Sequence, residues 1–189
     1  GVQAGTSTTP SFTDTAGSAG ATYAYTVTAR DAAGNVGPAS ATLSVTLGRT
    51  YYVAPSGNDA NAGSSTAPWA TLAKAAEKMT GGDVVYVRGG TYTLTATIAP
   101  PSGSAGRPIT YAGHPGESVT IDGGTGTIMS FTGRSYLTLD GLRFTTAATR
   151  VGASMFYLES SRSISFLNCE FFGMPAENGS ENSAVIRCM

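Results

Sequence analysis

The 27 residues that begin at Ile128 return in altered form from Met155. With 128–144 written above 155–171, Leu137 falls on Ile164, Leu139 on Phe166, Leu142 on Cys169 and Phe144 on Phe171. Polar positions match as well: Thr138 meets Ser165 and Arg143 meets Glu170. A period in the twenties, built from short apolar runs with no helix inside the repeat, predicts stacked β-coils that each cover the next. Within each copy the inward phase shifts after the second apolar residue, from Leu137 and Leu139 to Leu142 and Phe144. The chain must bend there. Gly141 and Asn168 stand at the bend, and both residue types tolerate left-handed backbone. Asp122-Gly123 is expected to turn in the same manner after Val119-Thr-Ile121.

The pattern extends upstream. Residues 83–92 read as a first coil, and Ile109-Thr-Tyr111 with Val119-Thr-Ile121 as the next. Before them, Tyr51-Tyr-Val53 opens a strand that runs into a turn-rich loop ending near Gly63. Thr71 is placed to cap a helix over 72–79, with Gly81-Gly82 as its stop. Trp69, Leu72, Ala75, Ala76 and Met79 give that helix one apolar face, which suits a plug over the open end of a solenoid.

Residues 21–29 alternate, with Tyr23, Tyr25, Val27 and Ala29 on one face, and 41–47 alternate again with Leu43, Val45 and Leu47 inward. The turn Asp31-Ala-Ala-Gly-Asn35 lies between them, so the two runs predict an antiparallel hairpin. This segment resembles the C-terminal half of a fibronectin type III domain. The likeness rests on Tyr23-x-Tyr25-x-Val27-x-Ala29-x-Asp31-Ala-Ala-Gly-Asn35, on a Ser11–Thr15 strand and on the Gly1–Gly5 start. It implies that the Tyr23 hydroxyl bonds back to the backbone at the sandwich corner.

Composition narrows the function classes. Charged residues are 12% and the net charge is −1, with 25 glycines. Ordinary domains carry about twice that charged fraction. No basic cluster is present to displace counterions, so nucleic-acid binding is not expected. No apolar run approaches the ~20 residues of a membrane span. Cys169 and Cys188 are the only cysteines, spaced as no common metal motif is. They read as two buried small hydrophobes, with a disulfide between neighbouring coils as the alternative.

The run Tyr51-Tyr-Val-x-Pro-Ser-Gly-Asn-Asp-x-Asn-x-Gly63, then Ala67-Pro-Trp-x-Thr-Leu72, then Gly82-Asp-x-Val-Tyr-Val-Arg-Gly-Gly-Thr-Tyr92, resembles the N-terminal cap and first coil of pectate lyase superfamily proteins. It is most similar to the family-nine polysaccharide lyases and the chondroitinase-B-like lyases, over about 51–189. The expected fold is therefore all-β: a partial fibronectin type III-like sandwich (1–47), a linker (48–50), a β-helix cap with an α-helix (51–82), and the first coils of a right-handed parallel β-helix (83–189).

The resemblance implies cleavage of acidic polysaccharide by β-elimination, with a Lys base beside a calcium held by several Asp. The only lysines, Lys74 and Lys78, both fall on the cap helix. Asp122 and Asp140 are expected in corresponding turns of adjacent coils, and with Asn58, Asp59 and Asn61 they read as hydrogen-bonded turns rather than calcium ligands. Arg143 and Glu170 read as an outward ion pair on neighbouring strands. His114, the sole histidine, lies in the turn Gly113-His-Pro-Gly116 and is read as lacking a nearby carboxylate to orient it. No catalytic residue, cofactor or metal ligand is assigned within 1–189; calcium is an expectation for the full-length protein only. The expected function is the N-terminal part of a secreted polysaccharide lyase whose active site lies beyond Met189. The alternative is a non-catalytic extracellular β-helix serving adhesion or assembly. Polysaccharide is the expected partner, and the remainder of a longer chain or neighbouring copies are expected to complete both ends.

Overall fold

In a computed structural model, the structure describes residues 2–146, 154–173 and the backbone of 186–188. The chain divides into two compact units, Gly1–Gly48 and Arg49–Met189.

In the first unit, β1 (Thr22–Tyr25) pairs antiparallel with β2 (Leu43–Thr46), Tyr23 opposite Val45 and Tyr25 opposite Leu43. The hairpin continues less regularly, with Ser40 N–H donating to Val27 O and Gly37 N–H to Ala29 O. Its turn is tied by Asp31, whose carboxylate accepts from the Asn35 backbone and side-chain amides at 2.8 Å each. The Tyr23 hydroxyl accepts from Ser18 N–H at 2.7 Å, and the Tyr25 hydroxyl donates to Asp14 at 2.9 Å. Two expectations change. Residues 11–15 form no strand. Val27 and Leu43, read as inward, are 72% and 64% exposed because no second layer among the described residues of this unit covers them.

The second unit is a right-handed β-solenoid of about 3 turns. Its strands are β3 (Thr50–Val53), β4 (Val84–Val87), β5 (Gly90–Thr93), β6 (Ile109–Gly113), β7 (Val119–Asp122), β8 (Met129–Ser130), β9 (Ser135–Asp140), β10 (Arg143–Thr145), β11 (Phe156–Leu158), β12 (Arg162–Leu167), β13 (Glu170–Phe172) and β14 (Ile186–Cys188). They stack into three parallel sheets, ordered β12-β9-β6-β4-β3, β13-β10-β7-β5 and β14-β11-β8. Parallel pairing follows from the coiling, since each turn returns to the same sheet in the same direction.

The register of the repeat is as the sequence implied. Leu137 pairs with Ile164, Leu139 with Phe166 and Phe144 with Phe171. Elsewhere the spacing varies: Ile121 pairs with Phe144, 23 positions on, and Tyr51 with Val85, 34 positions on. The rungs keep their alignment while the connections between them change length. Inside, Ile109, Tyr111, Leu137, Leu139, Ile121 and Phe144 are fully buried. Each such side chain contributes roughly 1.5–3 kcal/mol relative to exposure. Toward the C-terminal coils the core becomes aromatic, with Phe156 5.0 Å from both Phe144 and Phe166, edge to face.

Helix α1 (Leu72–Lys78) starts where Thr71 accepts from Lys74 N–H at 3.1 Å. Its apolar side, Leu72 and Ala75, joins Trp69 and Met79 in the core. Gly81-Gly82 does not end it. The helix stops at Met79, whose backbone is already extended, and the buried Asp83 then fixes the turn by accepting from Thr80 N–H and hydroxyl at 2.8 and 3.1 Å. The strand at Tyr51, read as part of the cap, is β3, a full rung of the five-stranded sheet.

Candidate functional site

A strand alternates its side chains, so the residues between the buried ones form the outer face of each sheet. On the five-stranded sheet the pairings align Tyr52, Tyr86, Ala112 and Asp140 in one outward row. A parallel row, two residues back, runs Thr50, Val84, Thr110, Thr138 and Ser165. Past the Tyr row, Arg88 and His114 extend the sheet: Arg88 N–H donates to Val53 O and His114 N–H to Val87 O at 2.8 Å each.

Three rings meet there. Tyr52 and Tyr86 lie 5.8 Å apart between centroids, and His114 sits 5.9 Å from Tyr86 at 73° and 6.4 Å from Tyr52. Beside them Glu117 receives Arg88 in a forked pair, Nε at 2.8 Å from Oε1 and 3.0 Å from Oε2. Gly89 N–H donates to the same carboxylate. The Arg88 hydrogen bonds, then the Gly89 N–H, hold Glu117 down at about 2. It stays ionised near neutral pH and has no proton to give. Arg88 in turn is stabilised as a cation by Glu117, so the pair is self-neutralising.

The reading of His114 as lacking a carboxylate is corrected: Nδ1 lies 3.1 Å from Glu117 Oε1. That nitrogen is buried and off the line of a proper hydrogen bond. The missed signal was Glu117 itself, three residues after His114 across the Pro-Gly turn. Tyr52, Tyr86 and Arg88 were also passed over, though the strand alternation that buries Val53, Val85 and Val87 turns all three outward.

The other candidates separate. Arg143 and Glu170 pair across β10 and β13, Nε to Oε2 at 2.6 Å, with the guanidinium 4.8 Å from the centre of the Phe172 ring. Both are well exposed, so the pair adds little stability. Asp122 and Asp140 are not stacked. Asp122 pairs with Thr93 and Thr145 on the four-stranded sheet, whereas Asp140 pairs with Ala112 and Leu167 on the five-stranded one. Val119-Thr-Ile121 is the second strand of its coil, so the bend after it is a different one, and its left-handed residue is Gly124 rather than Gly123. Asp122 accepts from Gly124 N–H, and Asp140 from the Asn168 side-chain amide, both at 2.8 Å.

In the loop after β3, Asp59 accepts from Ala70 and Thr71 N–H and from the Thr71 hydroxyl, while Asn58 accepts from Ala60 N–H. Asn61 donates to Pro68 O. Among the described residues no three His, Cys, Asp or Glu side chains converge. Lys74 and Lys78 both pair with Glu77 on α1. Cys169 is a half-buried free thiol that donates to Leu167 O and Leu139 O at 3.2 and 3.4 Å. The Cys188 side chain lies outside the described residues.

Parallel sheets coiled into a stack, with a left-handed residue at the bend of each 27-residue coil, match a known family. The profile described as "Pel9A-like, right handed beta helix region" matches residues 51–188. The chain belongs to this Pel9A-like β-helix family. "Pectate lyase PEL9" of Emericella nidulans is 42% identical over 78 residues, which are 41% of this chain and 19% of that protein. "Uncharacterized protein YwoF" of Bacillus subtilis is 42% identical over 76 residues, 40% of this chain and 16% of that protein. The matched stretches thus span under a fifth of these curated relatives. Among solved structures a "Rhamnogalacturonan lyase" superposes with a TM-score of 0.57 at 26% identity, covering 67% of this chain and 37% of that one. The Pel9A-like chain is therefore a polysaccharide-lyase-like β-helix.

Proposed function

We propose that this chain is part of a secreted lyase that cleaves uronate-containing polysaccharide by β-elimination. The observation that carries the reading is the family match across residues 51–188, supported by relatives named for pectate and rhamnogalacturonan cleavage. In such a reaction a base removes the proton at C5 of the uronate. The electron pair forms the C4–C5 double bond as the glycosidic oxygen leaves C4. The described coils, residues 83–146 and 154–173, act as scaffold in this reading, supported by the sheet-face pairs Arg88–Glu117 and Arg143–Glu170, each closed on itself. The proton-abstracting group is assigned to coils outside the described residues. Helix α1 serves as the end cap of the solenoid, supported by Leu72, Ala75 and Met79 closing the core beside Trp69. Residues 1–47 belong to a fibronectin type III-like module, supported by the hairpin and by the Tyr23 hydroxyl held to Ser18 N–H.

The test is incubation of the full-length protein with polygalacturonate and with rhamnogalacturonan. An ultraviolet-absorbing unsaturated product is expected; a folded protein that releases none from either substrate sinks the reading. One observation favours a second reading, a non-catalytic surface β-helix: the plain hydroxyl row Thr110, Thr138 and Ser165 carries no chemistry of its own. That alternative predicts no product and self-association instead.

A further inference from the structure

We infer that the outer face of the five-stranded sheet is a binding platform for a neutral pyranose polysaccharide, gripped by the Tyr52, Tyr86 and His114 rings beside a row of free hydroxyls. The face is amphipathic in the manner a sugar requires. Tyr52 and Tyr86 are only partly buried and present aromatic surface on which the C–H face of a pyranose can rest. The hydroxyls of Tyr52, Tyr86, Thr110, Thr138 and Ser165 have no hydrogen-bond partner among the described residues, so they are available to sugar hydroxyls. The two rows run across the strands, one step per rung at the ~4.8 Å strand spacing, and offer an extended chain repeated contacts along its length. Charge decides the ligand. The cation beside the rings, Arg88, is neutralised by Glu117, Asp140 is an anion farther along the ring row, and the exposed Arg162 stands on β12, two strands beyond His114. Around the rings, among the described residues, no unpaired Lys or Arg draws in a carboxylate, and apart from Leu167 at the far end the neighbouring row offers hydroxyls rather than the apolar surface a protein partner would need.

The inference rests on the polysaccharide-lyase-like reading only for the choice of sugar polymers as probes, and its test reads binding rather than cleavage. The full-length protein is titrated with a soluble neutral β-glucan and with polygalacturonate, at low salt and at about 0.5 M salt. Expected is binding to the glucan that is insensitive to salt, weakened about fivefold or more by Tyr52→Ala and by Tyr86→Ala. Tyr86→Phe, which keeps the ring, should retain most of it. Thermal midpoints of the variants separate lost binding from lost fold. Absence of glucan binding by the wild type, indifference to both alanine variants, or binding confined to polygalacturonate and abolished by salt would each overturn the inference. Product release from polygalacturonate is measured in parallel, so failure of the lyase reading leaves this result distinct.

Discussion

Gly141 and Asn168 occupy the same bend one coil apart, with φ of 63° and 51°, and Gly141 N–H donates to Leu167 O immediately before the asparagine. A side chain on Gly141 would meet no atom within 4 Å, so its substitution is limited by backbone conformation rather than space. Gly141→Val should cost about 1–2 kcal/mol, the usual left-handed penalty. That is a thermal midpoint lower by about 2–8 °C in a chain of this size. Gly141→Asn should be nearly neutral, since asparagine already holds this conformation in the next coil. Equal midpoints for Val and the wild type would mean that the bend is not where the structure has it.

Tyr111 is fully buried and its hydroxyl has no hydrogen-bond partner among the described residues. Burial pushes its ionisation well above the ordinary tyrosine value, so it remains a neutral, unpaired polar group. Tyr111→Phe should stabilise the solenoid by about 1 kcal/mol by removing that unmet hydroxyl. Urea unfolding checks this, and a loss of stability would reveal a hydrogen bond to solvent or ligand at that oxygen.

Asp83, 2% exposed, joins two parts of the second unit by accepting from Arg49 N–H at 2.7 Å and Thr80 N–H at 2.8 Å. Asp83→Ala strands both donors and should cost about 2–4 kcal/mol. Asp83→Asn, which keeps one acceptor, should cost less. Denaturant midpoints of the two variants, compared directly, decide the point.

Glu117 gives a pH dependence whose sign is fixed. Its folded value of about 2 lies below the ordinary 4.5, so its contribution is fully present above pH 4.5 and is lost as pH falls toward 2. Glu117→Gln should therefore lower stability at neutral pH and flatten the acid limb of the stability profile between those values. A variant whose profile runs parallel to the wild type would show that the Arg88 pair is not formed in solution.

The solenoid was legible in the sequence where the repeat is regular. Leu137, Leu139 and Phe144 have partners 27 residues on because no insertion separates those two coils. The likeness of Ile121-Asp-Gly to Leu139-Asp-Gly suggests that Asp122 and Asp140 share a turn, but Ile121 pairs with Phe144, 23 positions on, which puts Asp122 on the four-stranded sheet. The Thr71 cap was readable from local chemistry; the helix stop was not, because a tertiary group, Asp83, completes the turn instead of a glycine. The ring cluster was hidden for a related reason. Tyr52, Tyr86 and His114 are far apart in the chain and meet only through the pairing of β3, β4 and β6.

The unequal spacing between aligned rungs has a further meaning for how such a molecule changes. Tyr51 and Val85 stay in register across 34 positions, Ile121 and Phe144 across 23. Doubling a flexible connection costs only about 0.6 kcal/mol in closure entropy, whereas slipping a rung would turn its buried residues outward. Residues can therefore be gained or lost between strands in one coil without disturbing its neighbours. New surface chemistry can be tried at one level of the stack while the levels above and below continue to hold it.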